Sequence, residues 1–227
     1  MRVEPFTVGS YVHVVKRGAR DLPIVSDEED KWRFIRLLFY MNDSFVDEKW
    51  ESNTFSKGMF FRFPEWPEKN ELVEVICYTL LSNHFHLLLK ETRKGGLTLF
   101  MKKLCESMSK HFNAKYKKRG SIFQGSYKAK TIDSDTYLRY VISYIMVKNS
   151  FEVYPDGGLA RGIKNFEAAY IWAKKYPFCS LGDYTSKRNY PVVARNTFDS
   201  IFSEVEFKNF SRDVIVGGKW LDKIILE

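Results

Sequence analysis

Two apolar runs joined by a two-residue turn constrain the fold of this chain most strongly. Residues 72–81 and 84–90 are rich in aliphatic and β-branched side chains, and Ser82 and Asn83 between them are typical of a turn. Strands connected this tightly pair antiparallel. The sequence therefore predicts a β-hairpin, and with it an antiparallel sheet.

The segments around the hairpin complete an α+β order. Further strands are expected over 8–16 and 121–132, and Ser26 followed by Glu29 is a capping-box pattern that predicts the start of a first helix. A second helix is predicted after the Gly-Gly pair at 95–96, because apolar residues recur there at three- and four-residue spacing. This strand-helix-strand-strand-helix-strand order predicts a ferredoxin-like antiparallel sheet with helices on one face.

The chain divides into two parts by pattern. Residues 1–152 hold the predicted sheet and a helix that follows Ser134, a good N-cap. Within them, residues 46–70 are polar, aromatic and proline-containing, which indicates an insertion or long loop. Residues 153–227 form a mostly helical C-terminal extension, in which a helix is expected over 166–175.

Composition favours a packed, basic protein. Of the 227 residues 44% are hydrophobic, which is enough for a core, and 36 Lys and Arg exceed 28 Asp and Glu to give a net charge of +8. An excess of this size suits a polyanionic partner. Cys77, Cys105 and Cys179 form no CxxC pair, so we expect free thiols rather than a disulfide framework or a thiolate zinc site.

No targeting or membrane segment is predicted. The first residues lack the apolar stretch of a signal peptide. No run approaches the ~18 apolar residues that a membrane helix needs. We therefore expect a soluble, cytoplasmic protein without a membrane partner.

His84 and His86 are the centre of the predicted site. Alternate residues of a strand project from the same face, so the two imidazoles would sit about 7 Å apart along the backbone and point the same way. Two imidazoles so placed can share a divalent metal and leave positions open for a phosphate and water. Because His-x-His also occurs by chance on strands that bind no metal, the pair needs a second feature beside it.

A tyrosine-bearing helix supplies that second feature. In the helix expected from Asp135 to about 148, Tyr137, Tyr140 and Tyr144 are three and four residues apart and share one stripe. A phenol with a pKa near 10 becomes a nucleophile only when its target is polarised or a neighbour takes its proton. Aromatic stripes usually serve core packing, so the tyrosines matter here because they accompany the histidines.

These residues resemble a known family. Residues 77–89 resemble the histidine motif of the single-tyrosine transposases, whose usual form has Pro-Asn before the first histidine. Residues 120–128 resemble that family's Phe-Gln-Gly-Arg block, and residues 140–145 resemble its tyrosine helix. Blocks at 11–18 and 176–184 fit as well. The subgroup suggested is the REP-associated tyrosine transposases and their insertion-sequence relatives.

The resemblance implies a metal-dependent single-strand DNA endonuclease and strand transferase. His84 and His86 would bind Mg²⁺ or Mn²⁺. Tyr144 would attack a phosphodiester and give a 5′-phosphotyrosine with a free 3′-hydroxyl. The partner would be single-stranded or hairpin DNA, the active form a monomer or a homodimer, and the role DNA transposition or the handling of hairpin repeat elements.

The chain departs from the family pattern at two places. The family commonly has an amide residue four positions after the tyrosine, where this chain has Lys148, a poor metal ligand. Asn149 follows one residue later, about 100° further round an α-helix. Either the helix loosens near Val147 so that Asn149 joins the two histidines as the third metal ligand, or water and a DNA phosphate complete the shell. Separately, Ser126 stands where an arginine is frequent.

Basic residues near these motifs are candidates for DNA binding, because cations at phosphates and aromatic stacking hold single strands. The candidates are Lys102, Lys103, Lys110, Lys117, Lys118, Arg119, Lys128, Lys130 and Lys148. For the lysines of the helix after residue 96, a simple solvated face is an equal alternative.

Two other functions remain open at this point. A domesticated nucleic-acid-binding protein of the same fold, with weak or lost cleavage, would account for Lys148 and Ser126. An unrelated metal-dependent hydrolase of small molecules would need further carboxylate ligands, and the spacing of the sequence indicates no third ligand for it.

Overall fold

The fold is built on a four-stranded antiparallel sheet with the predicted hairpin inside it. The computed structural model describes residues 6–218. The strand order is β2-β3-β1-β4, so β3 and β1 are the central strands. The strand bounds are β1, Tyr11–Arg17; β2, Val73–Leu80; β3, His84–Glu91; and β4, Lys128–Thr131.

Two helices cover one face of the sheet, as the ferredoxin-like order predicts. They are α1, Glu28–Tyr40, and α3, Gly96–Tyr116. Their apolar sides pack against alternate residues of the central strands, among them Val12, Val14 and Phe85, to form one core cluster. The α+β class is thus confirmed.

The opposite face is covered by the chain that follows β4. The helix α4, Asp135–Ser143, continues as a π-helical segment, Tyr144–Lys148, and then as α5, Asn149–Glu152. Leu88 of β3 lies in the second core cluster with these segments and with helices of the extension. The further helices are α6, Gly158–Lys164; α7, Phe166–Lys175; α8, Leu181–Thr185; α9, Arg195–Asp199; and α10, Glu204–Val216.

The C-terminal extension also joins the sheet at its β2 edge. The backbone N–H of Leu80 donates to Phe178, that of Ser180 donates to Tyr78, and Thr79 pairs with Cys179 in an antiparallel bridge. The predicted boundary near residue 152 stays a prediction, since the extension packs on the same sheet as the residues before it.

Several predicted bounds needed correction. The first helix is capped by Asp27, whose side chain accepts from the backbone N–H of Asp30, and not by Ser26. The fourth strand is limited to residues 128–131, because Gly120 and Gly125 adopt positive φ and turn the chain before it. The segment 46–70 is mostly irregular, as expected, but contains a short helix, α2, Trp50–Thr54. None of the helices in residues 6–218 is both long and apolar enough to cross a bilayer.

Candidate active site

Strand β3 places His84 and His86 on the sheet face that carries the tyrosine helix. Their ring centroids are 5.0 Å apart, and both side chains are buried. A metal about 2.1 Å from each imidazole nitrogen holds the two nitrogens roughly 3 Å apart, which neighbouring rings at this distance can provide. The predicted common face and close approach of the two histidines are therefore present in the fold.

A side-chain oxygen fixes the proton position on His84. The ring Nδ1 lies 2.7 Å from Oδ1 of Asn83, the residue just before it. An amide oxygen can only accept, so in the neutral ring Nδ1 carries the hydrogen and Nε2 carries the lone pair. His84 can accordingly offer Nε2 to a metal.

A third histidine, His13 of β1, lies beside His86. Its Nε2 is 3.1 Å from Nδ1 of His86, and the two rings are stacked with centroids 5.4 Å apart. Burial, followed by the charge of Lys130, lowers the pKa of His13 to about 3. Burial, followed by His13, also lowers the pKa of His86 well below its ordinary value. Both rings are thus neutral at neutral pH, the form in which imidazole binds metals.

Tyr144 is the tyrosine that the fold brings to the histidines. Its ring centroid is 5.6 Å from that of His86 and 6.0 Å from that of His13, with 2% of the residue exposed. Tyr140 packs against Phe210 instead, and Lys130 lies over the ring of Tyr137. The structure thus places the Tyr144 ring against His86 and His13, whereas Tyr140 packs against the C-terminal extension.

A π turn begins at Tyr144. The backbone N–H of Asn149 donates to the carbonyl of Tyr144, five residues back instead of four. Such a turn leaves carbonyls without their usual helical donors, and two of them are bound from outside. The Thr79 hydroxyl donates to Ile145, and the Cys179 thiol lies 3.2 Å from the carbonyl of Met146. These two contacts explain why the helix widens here.

The π turn changes where Asn149 lies. In an α-helix a residue five positions on is about 140° round the axis, whereas an i→i+5 turn brings it back above the starting residue. Asn149 is completely buried, and neither its Oδ1 nor its Nδ2 has a hydrogen-bond partner within residues 6–218. An unpaired buried polar group costs about 1–3 kcal/mol, so an amide oxygen in this state suits a ligand that the protein itself does not supply.

Lys148 occupies the position that the family gives to an amide. Its ammonium lies 4.9 Å from the centre of the Tyr144 ring and pairs with Glu152 one turn further on. Lys148 is also among the charges that lower the pKa of His86. It contributes positive charge next to the tyrosine.

Comparison with known proteins agrees with this geometry. Residues 62–148 match the profile of the IS200-like transposases, a stretch that contains both histidines of β3 and Tyr144. The stretch that carries the predicted site is thus similar to the IS200-like transposases. The family resemblance inferred from the sequence is thereby confirmed. His13 lies far before the matched stretch, and Asn149 directly follows it.

One solved structure and the curated proteins complete the comparison. A REP-associated tyrosine transposase bound to a REP hairpin is 12% identical, with 86% of this chain and 89% of that chain covered and a TM-score of 0.44. That likeness is too remote to transfer residue roles. No curated protein matches the chain.

Basic side chains lie on the β4 side of His84 and His86. Lys128 and Lys130 stand opposite Val15 and His13 in the sheet register, so they share the histidine face. Arg17 of β1 pairs with His84 and is half-buried beside Asp21. We did not anticipate Arg17 from the sequence, although its strand parity with His13 places both on one face.

The other predicted basic residues are distributed elsewhere. Lys102, Lys103 and Lys110 belong to α3, on the opposite face of the sheet. Lys103 donates to the backbone carbonyls of Asp43 and Ser44, and Lys102 is close to Glu106. Lys117, Lys118 and Arg119 are exposed where α3 ends. Their part in DNA binding stays a prediction.

A conventional metal cluster does not account for the site. Within residues 6–218, no three His, Cys, Asp or Glu side chains are grouped so that they could hold an ion. The donor set predicted from the sequence, two histidines and the Asn149 amide oxygen, is of a different kind and stays a prediction; its nitrogen and oxygen ligands are ones that Mn²⁺ accepts. A hydrolase with added carboxylate ligands, one of the alternatives considered from the sequence, finds no support in this part of the chain.

Proposed function

We propose that this chain is a metal-dependent endonuclease and strand transferase for single-stranded or hairpin DNA, acting through a 5′-phosphotyrosine. The observation that carries the proposal is the placement of Tyr144 against His86, with ring centroids 5.6 Å apart, inside a segment similar to the IS200-like transposases. The family supports transposase-type chemistry, and the geometry supports the choice of tyrosine.

The reaction balances without an external energy source. The Tyr144 phenol loses its proton and its oxygen bonds to phosphorus, while the bond from phosphorus to the 3′ oxygen breaks. The leaving 3′ oxygen takes up a proton and becomes a hydroxyl. The phosphotyrosine keeps the energy of the broken ester, so a second 3′-hydroxyl can displace Tyr144 and rejoin the strand.

The residues present fit a divalent cation. His84 and His86 would hold Mg²⁺ or Mn²⁺, with Asn149 as the third protein ligand, because its buried amide has no partner in the described part of the chain. When bound, such an ion polarises the phosphodiester and stabilises the developing charge. Lys148, whose ammonium also pairs with Glu152, would place a cation over the Tyr144 ring.

The DNA strand would approach from the β4 side. Lys128 is exposed there and shares the histidine face with Lys130, and Arg17 lies opposite His84. Guanidinium and ammonium groups position phosphates without reading sequence. Arg17 could supply the cationic contact that Ser126 does not.

Burial of the site favours the second candidate function, a nucleic-acid-binding protein of the same fold with weak or no cleavage. Tyr144, His86 and Asn149 are each at most 2% exposed. A phosphodiester reaches them only if the helical layer over the sheet opens. A protein that had lost cleavage would have no need for that opening.

A covalent-adduct gel separates the two functions. Single-stranded hairpin DNA labelled on the 3′ side of the cleavage point is incubated with Mn²⁺, and the proposal predicts a protein–DNA adduct that survives denaturation. Tyr144→Phe should abolish the adduct, and Tyr140→Phe, the matched control on the same stripe, should retain it. Wild-type protein that binds DNA but forms no adduct would support the binding protein. An adduct lost only in Tyr140→Phe would refute the choice of Tyr144.

A further inference from the structure

We propose that His13 is a positioning residue that accepts a hydrogen bond from Nδ1 of His86 and thereby directs Nε2 of His86 to the metal. This inference rests on the proposed function in one respect, the assignment of His86 as a metal ligand. Nothing in the match to the IS200-like transposases concerns His13, since the matched stretch begins at residue 62.

The contact is built deep in the fold. His13 and His86 are both 0% exposed, with ring nitrogens 3.1 Å apart and ring planes inclined by 26°. They come from the two central strands, where His13 stands opposite Leu88 and His86 opposite Val15. The diagonal neighbours of an antiparallel pair are held by the sheet itself, so the contact does not depend on a loop.

A hydrogen bond between two imidazole nitrogens contains a single hydrogen, and its position decides what His86 can bind. With the hydrogen on Nδ1 of His86, Nε2 has the lone pair that a metal requires. With the hydrogen on Nε2 of His13 instead, the neutral His86 ring has its own proton on Nε2 and cannot bind a metal there. Metal binding by His86 therefore requires His13 as the acceptor.

The neighbouring histidine shows the same arrangement with a different partner. Nδ1 of His84 is held by the side-chain oxygen of Asn83, which can only accept. The two histidines of β3 are thus both held through Nδ1, one by an amide and one by an imidazole. Metal-binding histidines generally donate their second ring N–H to an acceptor that fixes the ring, and loss of such a partner typically weakens metal binding 10- to 100-fold.

Two variants of His13 distinguish its role as a hydrogen-bond acceptor from its role in packing against His86. His13→Phe keeps a buried ring against His86 but removes the acceptor, and His13→Gln keeps an acceptor oxygen. Val14→Ala is the matched control, because Val14 is buried in the same strand with its side chain in the opposite core. If His13→Phe does not fold, His13→Leu replaces it. Mn²⁺ affinity is measured without DNA, on variants whose unfolding curves show a cooperative folded state.

The expected result is a 10- to 100-fold loss of Mn²⁺ affinity in His13→Phe, with His13→Gln and Val14→Ala within about threefold of wild type. In the Mg²⁺-loaded wild type, ¹H–¹⁵N spectra should show His86 protonated at Nδ1. Wild-type affinity in His13→Phe, an equal loss in His13→Gln, or a proton on Nε2 of His86 would overturn the inference. Metal binding as expected without a DNA adduct would instead overturn the proposed nuclease and leave the role of His13 standing.

Discussion

The hydroxyl of Thr79 donates to the carbonyl of Ile145, which joins the sheet to the turn that starts at Tyr144. Thr79 lies directly opposite His86 in the pairing of β2 with β3. The Thr79 hydroxyl is therefore one of the contacts that hold the tyrosine helix against the sheet beside the histidine strand. The same hydroxyl satisfies a carbonyl that the π turn releases from the normal helical pattern.

Replacement of Thr79 by valine should loosen this connection. Valine has nearly the same shape but leaves the Ile145 carbonyl buried without that donor, so the free energy of unfolding should fall by about 1–3 kcal/mol. Chemical denaturation measures the change. Thr185→Val is the control, because the Thr185 hydroxyl donates to Leu181 within its own helix. This replacement should lower the free energy of unfolding by no more than about 1 kcal/mol. Equal losses in the two variants would contradict a special role for Thr79.

Asn149→Ala should weaken Mn²⁺ binding more than Lys148→Ala. The amide oxygen of Asn149 is a neutral oxygen donor, whereas the Lys148 ammonium has no lone pair and repels a cation. Removal of Lys148 should leave Mn²⁺ affinity unchanged or raise it. Titration of the metal without DNA measures both. Unchanged affinity in Asn149→Ala would favour the alternative in which water and the DNA phosphate complete the metal shell.

DNA binding should be strongly salt-dependent and should prefer single strands or hairpins to duplex. With ~4–6 phosphates neutralised and a slope of about −0.7 for each, a fourfold rise in salt should lower affinity roughly 50- to 350-fold. Lys128→Gln should reduce the slope by about 0.7, since Lys128 is exposed on the histidine face. Lys110→Gln on α3 tests the opposite face. A slope that responds only to Lys110 would place the DNA there, and tighter binding to plain duplex would count against the proposed substrate.

Lys115→Met should lower stability at neutral pH but not in acid. Lys115 lies 2.8 Å from Asp27, and this hydrogen bond, with the Asp30 backbone N–H next, lowers the pKa of Asp27 from 3.8 to about 2. A lowered carboxyl pKa stabilises the fold above pH 3.8, and that contribution is lost as the pH falls towards 2. The difference between wild type and variant should therefore shrink between about pH 4 and pH 2.

Denaturation at a series of pH values tests this. Lys110→Met, an exposed lysine of the same helix, serves as the control. A wild-type advantage that persisted undiminished at pH 2 would assign the effect of Lys115 to packing of its stem.

Local pattern was enough to predict the hairpin and the shared face of His84 and His86, because strand alternation is set by the backbone alone. It was not enough for His13, whose neighbour His86 is 73 residues away. Only the pairing of β1 with β3 brings the two rings together, and a single sequence does not specify that register. A histidine inside the β-branched run from Tyr11 was the available signal.

The π turn is a second feature that periodicity could not reveal. Leu138, Val141, Ile142 and Ile145 follow ordinary helical spacing, so the sequence predicts one uninterrupted helix. The widening after Tyr144 depends on donors from distant segments, Thr79 and Cys179. Asn149 could be singled out as a residue that lacked an explanation, but its buried and unpaired state could be found only in the fold.

The pairing of residues 178–180 with β2 bears on how this chain can be shortened. A fragment ending at residue 152 would keep both histidines of β3 and Tyr144. Strand β2, however, would lose the backbone hydrogen bonds that Tyr78 and Leu80 make with residues 178–180, and the one that the Val75 carbonyl accepts from Ala194. An apolar edge strand with bare N–H and C=O groups is a template for association with other chains. We therefore expect that a fragment able to fold on its own extends at least through residue 194, and that this part of the extension keeps the β2 edge from pairing with other chains.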